Sequence, residues 1–153
     1  MTLLPEARFA CSRTEWAATN ARLATAQGYV AHHLAPEERM EFVDFEADGV
    51  PFGPFAQTTD LLGDGSVRLI FTPGHTAGHL SVLLKLAGHR FALLVGDAAY
   101  TLRSIDDELL PMITADDAAS RRSLRALKRF ADADPEAILV PTHDPEAWQA
   151  LRR

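Results

Sequence analysis

The chain has a single cysteine, Cys11, among 153 residues. A lone cysteine finds no partner within the chain, so an internal disulfide framework is excluded and a reducing, cytoplasmic setting is the expectation. Cys11 itself reads as a small core residue rather than a nucleophile. Long apolar runs are also lacking. The longest, such as Phe91 to Val95, fall far short of the roughly 20 residues that a membrane-spanning helix needs, so no membrane partner is expected. No charged segment followed by an apolar one opens the chain, so no secretory leader is expected. Basic charge is short: 15 Lys and Arg stand against 21 Asp and Glu, a net charge of −6, with no basic stripe. Nucleic acid is therefore not an expected partner. Repeats and low-complexity tracts are missing too.

What is present is a balanced composition, 47% hydrophobic and 24% charged, enough for one core in one domain spanning residues 1–153. Its most informative stretch is Thr72-Pro73-Gly74-His75-Thr76-Ala77-Gly78-His79, set between the apolar runs Val67 to Phe71 and Leu80 to Leu84. Proline and glycine at a strand end specify a sharp turn, and a histidine inside it sits on a rigid mount. Taken alone, a histidine after Pro-Gly is better explained as a surface turn residue than as a ligand. Two further runs repeat the pattern. Phe91 to Val95 ends in Gly96-Asp97-Ala98-Ala99-Tyr100-Thr101, and Ala137 to Val140 ends in Pro141-Thr142-His143-Asp144. Imidazole and carboxylate groups delivered from separate strand ends are the donor set of a zinc-type or iron-type site.

The remaining segments give the frame. Ala7 to Cys11 predicts a short strand. Ser12-Arg13-Thr14-Glu15 has the form of a capping box, predicting a helix from Arg13 to about Gln27 with Trp16 and Leu23 on one face. His32 and His33 read as solvated. Phe42 to Phe55, broken by Gly49, Pro51, Gly53 and Pro54, predicts an irregular aromatic-rich loop with one short strand. Thr58 to Phe71 predicts a hairpin turning at Gly63-Asp64-Gly65. His89 reads as an exposed hairpin tip. His79, at the start of a strand, either hydrogen-bonds the turn or a metal ligand from behind, or is a satisfied core histidine. Asp106-Asp107-Glu108 reads as a solvated face. Asp116 predicts a helix start, with Lys128-Arg129 in its last turn and Leu124, Leu127 and Ala131 inward. Asp144 and Pro145 predict the N-cap and first position of a last short helix.

TPGHTAGH, GDAAYT and PTHD, in this order and spacing, resemble the second half of the metallo-β-lactamase-fold metallohydrolases, and the Asp-x-x-Tyr-Thr form is similar to their N-acyl homoserine lactonase branch. The resemblance implies an α/β fold: part of an αββα sandwich, mainly its second sheet with flanking helices. It implies that His75 completes one metal site, that Asp97 bridges two metals and that His143 binds the second. Tyr100 would stand beside the substrate carbonyl and leaving oxygen, making Asp97 and Tyr100 the catalytic pair. The implied cofactor is zinc, with iron or manganese as alternatives, and the implied substrate is a small-molecule ester or lactone. The branch's His-x-His-x-Asp-His motif is not in this sequence; histidines 32, 33, 79 and 89 lack that spacing. With it the first sheet would be missing, so a homodimer or a partner chain is expected over the open sheet face. The alternative is a truncated, catalytically silent half-domain that acts as an interaction subunit.

Overall fold

The computed structural model describes residues 6–20, 29 and 37–151. Its elements are β1 (Phe9–Ser12), α1 (Arg13–Thr19), β2 (Met40–Val43), α2 (Phe45–Asp48), β3 (Val50–Phe52), β4 (Phe55–Asp60), β5 (Val67–Phe71), β6 (Leu80–Lys85), β7 (Phe91–Gly96), α3 (Leu102–Asp106), α4 (Asp117–Ala133), β8 (Ile138–Pro141) and α5 (Pro145–Ala150). β3 to β8 form one six-stranded sheet in chain order, while β1 and β2 pair in parallel as a separate two-stranded sheet. The large sheet is antiparallel from β3 to β7. β8 joins β7 in parallel, which requires a crossover, and α3 and α4 supply it.

Strand alternation divides the sheet into two faces. Ile70, Leu83, Leu93, Val95 and Leu139 point to one of them and pack with Leu124, Leu127 and Phe130 of α4. Those α4 positions follow the three- and four-residue spacing of a helix stripe. Leu93, Leu124 and Leu127 are fully buried. The other face carries Val67 opposite Leu84 and Val82 opposite Leu94. All four are only half-buried. Among the described residues, no helix is long and apolar enough to cross a membrane.

The predicted frame needs four corrections. First, α1 is shorter than its pattern predicts: it closes at Thr19 with Asn20 as C-cap, and Leu23, Gln27 and Gly28 lie outside the described residues, as do His32 and His33. Trp16 packs its ring on Phe42 at 5.3 Å. Second, the stretch from Phe42 to Phe55 is regular, not a loop. Asp44 caps α2 by accepting from Glu46 and Ala47 N–H, and β3 and β4 form a hairpin. Its prolines and glycines read as breakers, but β3 is the sheet's edge, where Pro51 costs no ladder bond. Phe45 stacks on Phe71, Phe52 meets Phe91, and Phe55 meets Phe130, so the aromatics are core contacts. Third, α4 runs on to Ala133, leaving Lys128-Arg129 short of its last turn, which holds no basic residue. Lys128 instead donates to the Asp106 carbonyl at 3.1 Å. Fourth, Leu102 to Asp106 is helical, capped by Thr101. Glu108, beyond it, is not merely solvated: it pairs with Arg125 at 2.9 Å.

Cys11 is half-buried, and burial, seconded by the nearby Glu15, pushes its thiol up to about 11. That thiol is inert at neutral pH.

Candidate functional site

β5 ends at Phe71 and its chain turns through Thr72 to Gly78 before β6 begins. The turn closes on itself: Thr72 N–H donates to His79 O at 3.0 Å and Gly74 N–H to Thr76 O at 2.9 Å. It is also held from α4. Ser123 Oγ donates to Pro73 O at 2.8 Å, and Gly74 O accepts from Ala115 N–H at 2.7 Å and Asp116 N–H at 3.1 Å. Gly74 has φ 137°, and a Cβ there would collide with the Ser120 backbone and hydroxyl. Only glycine allows the turn to sit this close to the helix.

A second clamp comes from the other side and corrects the capping-box reading. Ser12 Oγ does accept from Glu15 N–H at 2.9 Å. The Glu15 carboxylate, however, accepts from Gly78 N–H at 2.7 Å, while Ser12 Oγ donates to Gly78 O at 2.8 Å. The start of α1 is thus bolted to the turn. Tyr29 lies near it; burial, seconded by the Glu15 charge, pushes its phenol up to about 12. Sequence reasoning missed this clamp because its members are distant in the chain; the only signal was an unexplained second glycine in the motif.

On this mount the structure brings the four candidate residues together. His75 Nδ1 lies 2.9 Å from the Ile113 carbonyl. A carbonyl only accepts, so Nδ1 donates to it and Nε2 is the ring nitrogen turned toward Asp97. That Nε2 is 3.7 Å from Asp97 Oδ2, and His143 Nε2 is 3.4 Å from Asp97 Oδ1. The Tyr100 ring lies 6.3 Å from the His75 ring and 4.8 Å, edge-on, from the His143 ring. His143 N–H donates to Tyr100 O at 3.1 Å. Side-chain exposure rises from 20% at His75 through 36% at Asp97 to 59% at His143, so the cluster is rooted at the turn and open on the His143 side. Asp144, next in the chain, caps α5 through Ala147 N–H and also accepts from Leu102 N–H at 3.0 Å. The Leu102 bond, more than the cap, holds its carboxyl below the usual carboxylate range. A cavity of about 320 Å³ opens beside the cluster, lined by Ser12, Glu15, His75, Gly78, His79 and Asp97.

His79 serves the turn, the first of its two predicted roles. Its ring lies behind Asp97, with Nδ1 2.9 Å from Thr72 Oγ1 and Nε2 accepting from Asp97 N–H at 3.1 Å. Burial, seconded by His75, pulls its pKa down to about 4, so the ring is neutral at physiological pH.

Among the described residues, no group of three or more His, Cys, Asp and Glu side chains is gathered tightly enough to hold a metal ion as it stands. The chemistry of the donors nevertheless fits one. Asp97 Oδ1 is buried without a hydrogen bond, and His75 Nε2 faces the other oxygen of the same carboxylate. Two acceptors facing each other need a cation or a proton between them.

The sequence profile of the Metallo-beta-lactamase superfamily matches residues 16–143. This chain belongs to that superfamily, a class whose relatives here are lactonase-like hydrolases. An N-acyl homoserine lactonase, AttM of Rhizobium radiobacter, is 39% identical over 94 residues, 61% of this chain and 35% of the lactonase. A solved N-acyl homoserine lactone hydrolase, with the product N-hexanoyl-L-homoserine at its catalytic metal centre, superposes with a TM-score of 0.70 at 23% identity, over 92% of this chain and 48% of that one. AidC, a dizinc quorum-quenching lactonase, superposes at 0.60 and 17% identity, over 92% of this chain and 49% of its own. These two likenesses establish the fold. The chain spans about half the length of the solved structures it matches and about a third of AttM.

Proposed function

We propose that this chain carries the second-half portion of a metal-dependent hydrolytic centre that acts on a lactone or other small ester. The observation that carries the reading is the Asp97 carboxylate held between two imidazoles, with Oδ1 buried and unpaired. His75, Asp97 and His143 are the residues that would hold the ion, zinc by preference with iron or manganese as alternatives. A bound divalent ion supplies an acidified water and a polarised carbonyl. The chain's own residues do the rest. The Ile113 carbonyl keeps His75 in the tautomer that offers Nε2, and Asp97 presents both oxygens at once. In the hydrolysis a water oxygen joins the acyl carbon, the acyl C–O bond opens and the departing oxygen takes a proton. Tyr100, whose ring lies beside both imidazoles, is our candidate to direct that oxygen. Three protein donors leave coordination positions to be filled from outside the described residues.

A second reading draws on the half-buried face at Val82, Leu84 and Leu94. In it the chain is a silent interaction subunit that docks through that face. Elemental analysis of the purified protein separates the two. About one or two equivalents of zinc or iron, lost in His75→Ala, support the metal centre and direct assays to lactones and thioesters. No metal in a folded protein, or metal content unchanged in His75→Ala, overturns it in favour of the second reading.

A further inference from the structure

We propose that His79 is the positioning residue for Asp97: its imidazole, locked in one tautomer by a buried hydroxyl chain, holds the Asp97 backbone so that the carboxylate stands between His75 and His143. The chain runs from His79 Nδ1 to Thr72 Oγ1 at 2.9 Å, to Ser81 Oγ at 2.9 Å, and to the Val95 carbonyl at 2.9 Å. At its other end Asp97 N–H meets His79 Nε2 at 3.1 Å.

The two ends fix every proton between them. A backbone N–H only donates, so Nε2 holds a lone pair and the neutral ring carries its proton on Nδ1. A carbonyl only accepts, so Ser81 donates to Val95. Ser81 then accepts from Thr72, and Thr72 accepts from Nδ1–H. No other order satisfies all four links. Thr72 and Ser81 are buried, so water does not compete for these bonds. The chain stitches the end of β5 to the start of β6 and the end of β7, the same sheet end that presents the site. Gly96 takes part by having no side chain: its φ is 64°, and a Cβ there would come within 2.8 Å of His79 Nε2. A histidine kept merely to fill the core needs neither this directed chain nor this bare glycine.

The test uses the whole chain and has two arms. Nitrogen NMR of the metal-free protein reads the His79 tautomer, and hydrogen exchange reads the Asp97 amide. The expected ring is protonated at Nδ1 and bare at Nε2. Thr72→Val should perturb that signature and speed Asp97 exchange about ten-fold, the scale of one lost hydrogen bond, and Thr72→Ser should restore both. Ser81→Ala removes the next link and repeats the test should Thr72→Val fail to fold. The second arm, which alone rests on the metal-centre reading, titrates zinc. Thr72→Val and Ser81→Ala should weaken binding by at least about ten-fold, the usual effect of losing a partner behind a ligand. A ring protonated at Nε2, or an Asp97 amide indifferent to both variants, overturns the positioning role. If wild-type protein takes up no zinc, the metal reading fails and the first arm still decides the role of His79.

Discussion

Asp97 separates two regions of opposite character. Behind it, His79, Thr72, Ser81 and Val95 form a closed series in which each donor has one acceptor. In front of it, two imidazoles and a carboxylate approach at 3.4–3.7 Å, longer than ordinary hydrogen bonds, and Asp97 Oδ1 makes no hydrogen bond. The rear is finished by this chain alone, and its hydroxyls and the Val95 carbonyl belong to buried residues. The front is shaped but incomplete, and it opens to solvent. An unsatisfied carboxylate on a fully satisfied support is what the proposed metal centre requires, with a cation or a proton between Asp97 and His75. Variants in the support should therefore cost stability, while variants at the front should cost ligand binding and little stability.

The largest effect is expected where the support meets α4. Gly74→Ala combines a strained φ with a collision at Ser120, each worth about 1–3 kcal/mol. Urea unfolding should show a loss of about 2–5 kcal/mol, and zinc binding should fall as well because His75 is displaced. Leu124→Ala, buried under the sheet, should cost a similar 2–5 kcal/mol through its cavity. It touches neither region, so its zinc affinity should stay at the wild-type value. Equal affinities in the two variants would mean that the turn does not place His75.

Glu15→Ala comes next. It leaves the Gly78 N–H without its charged acceptor, a loss of about 1–3 kcal/mol. Loosening of β1 and α1 from the turn should appear as faster amide exchange at Gly78, with the α4 amides unaffected. Asp97→Asn should behave in the opposite way. Removing the charge of a half-exposed carboxylate whose Oδ1 has no hydrogen bond should leave the metal-free stability unchanged or raise it by less than about 1 kcal/mol, while zinc binding is lost. A large destabilisation in Asp97→Asn would erase the distinction between front and rear.

How much of this was legible in the sequence follows the same boundary. The front was readable because His75, Asp97 and His143 each follow the end of an apolar run, and strand ends converge at one edge of a sheet. The rear was not, because it depends on cross-strand register. Thr72, Ser81 and Asp97 become neighbours of His79 only once β5, β6 and β7 are aligned. The capping box misled for a related reason: Ser12 and Glu15 satisfy the local rule, yet Gly78, 63 residues from Glu15, takes the carboxylate. The stretch from Phe42 to Phe55 was misread because its glycines and prolines signal breaks, and only an edge position turns them into a hairpin.

The smallest expected effect tests the tie on the His143 side. Asp144 accepts from Ala147 N–H as the α5 cap and from Leu102 N–H at the start of α3, so it ties together the two segments that flank His143 and Tyr100. Asp144→Ala should cost about 1 kcal/mol, the usual worth of an N-cap. The folded carboxyl titrates below its unfolded value, so its contribution is present above about pH 4 and is lost as the pH falls through the lowered folded value. The stability gap between wild type and Asp144→Ala, read from thermal melts across pH 2–7, should therefore narrow as the pH drops, with the larger gap at pH 7. A gap that widened toward low pH would mean that Asp144 is held by something other than these two N–H groups. The exposed side of the site would then owe its shape to another contact.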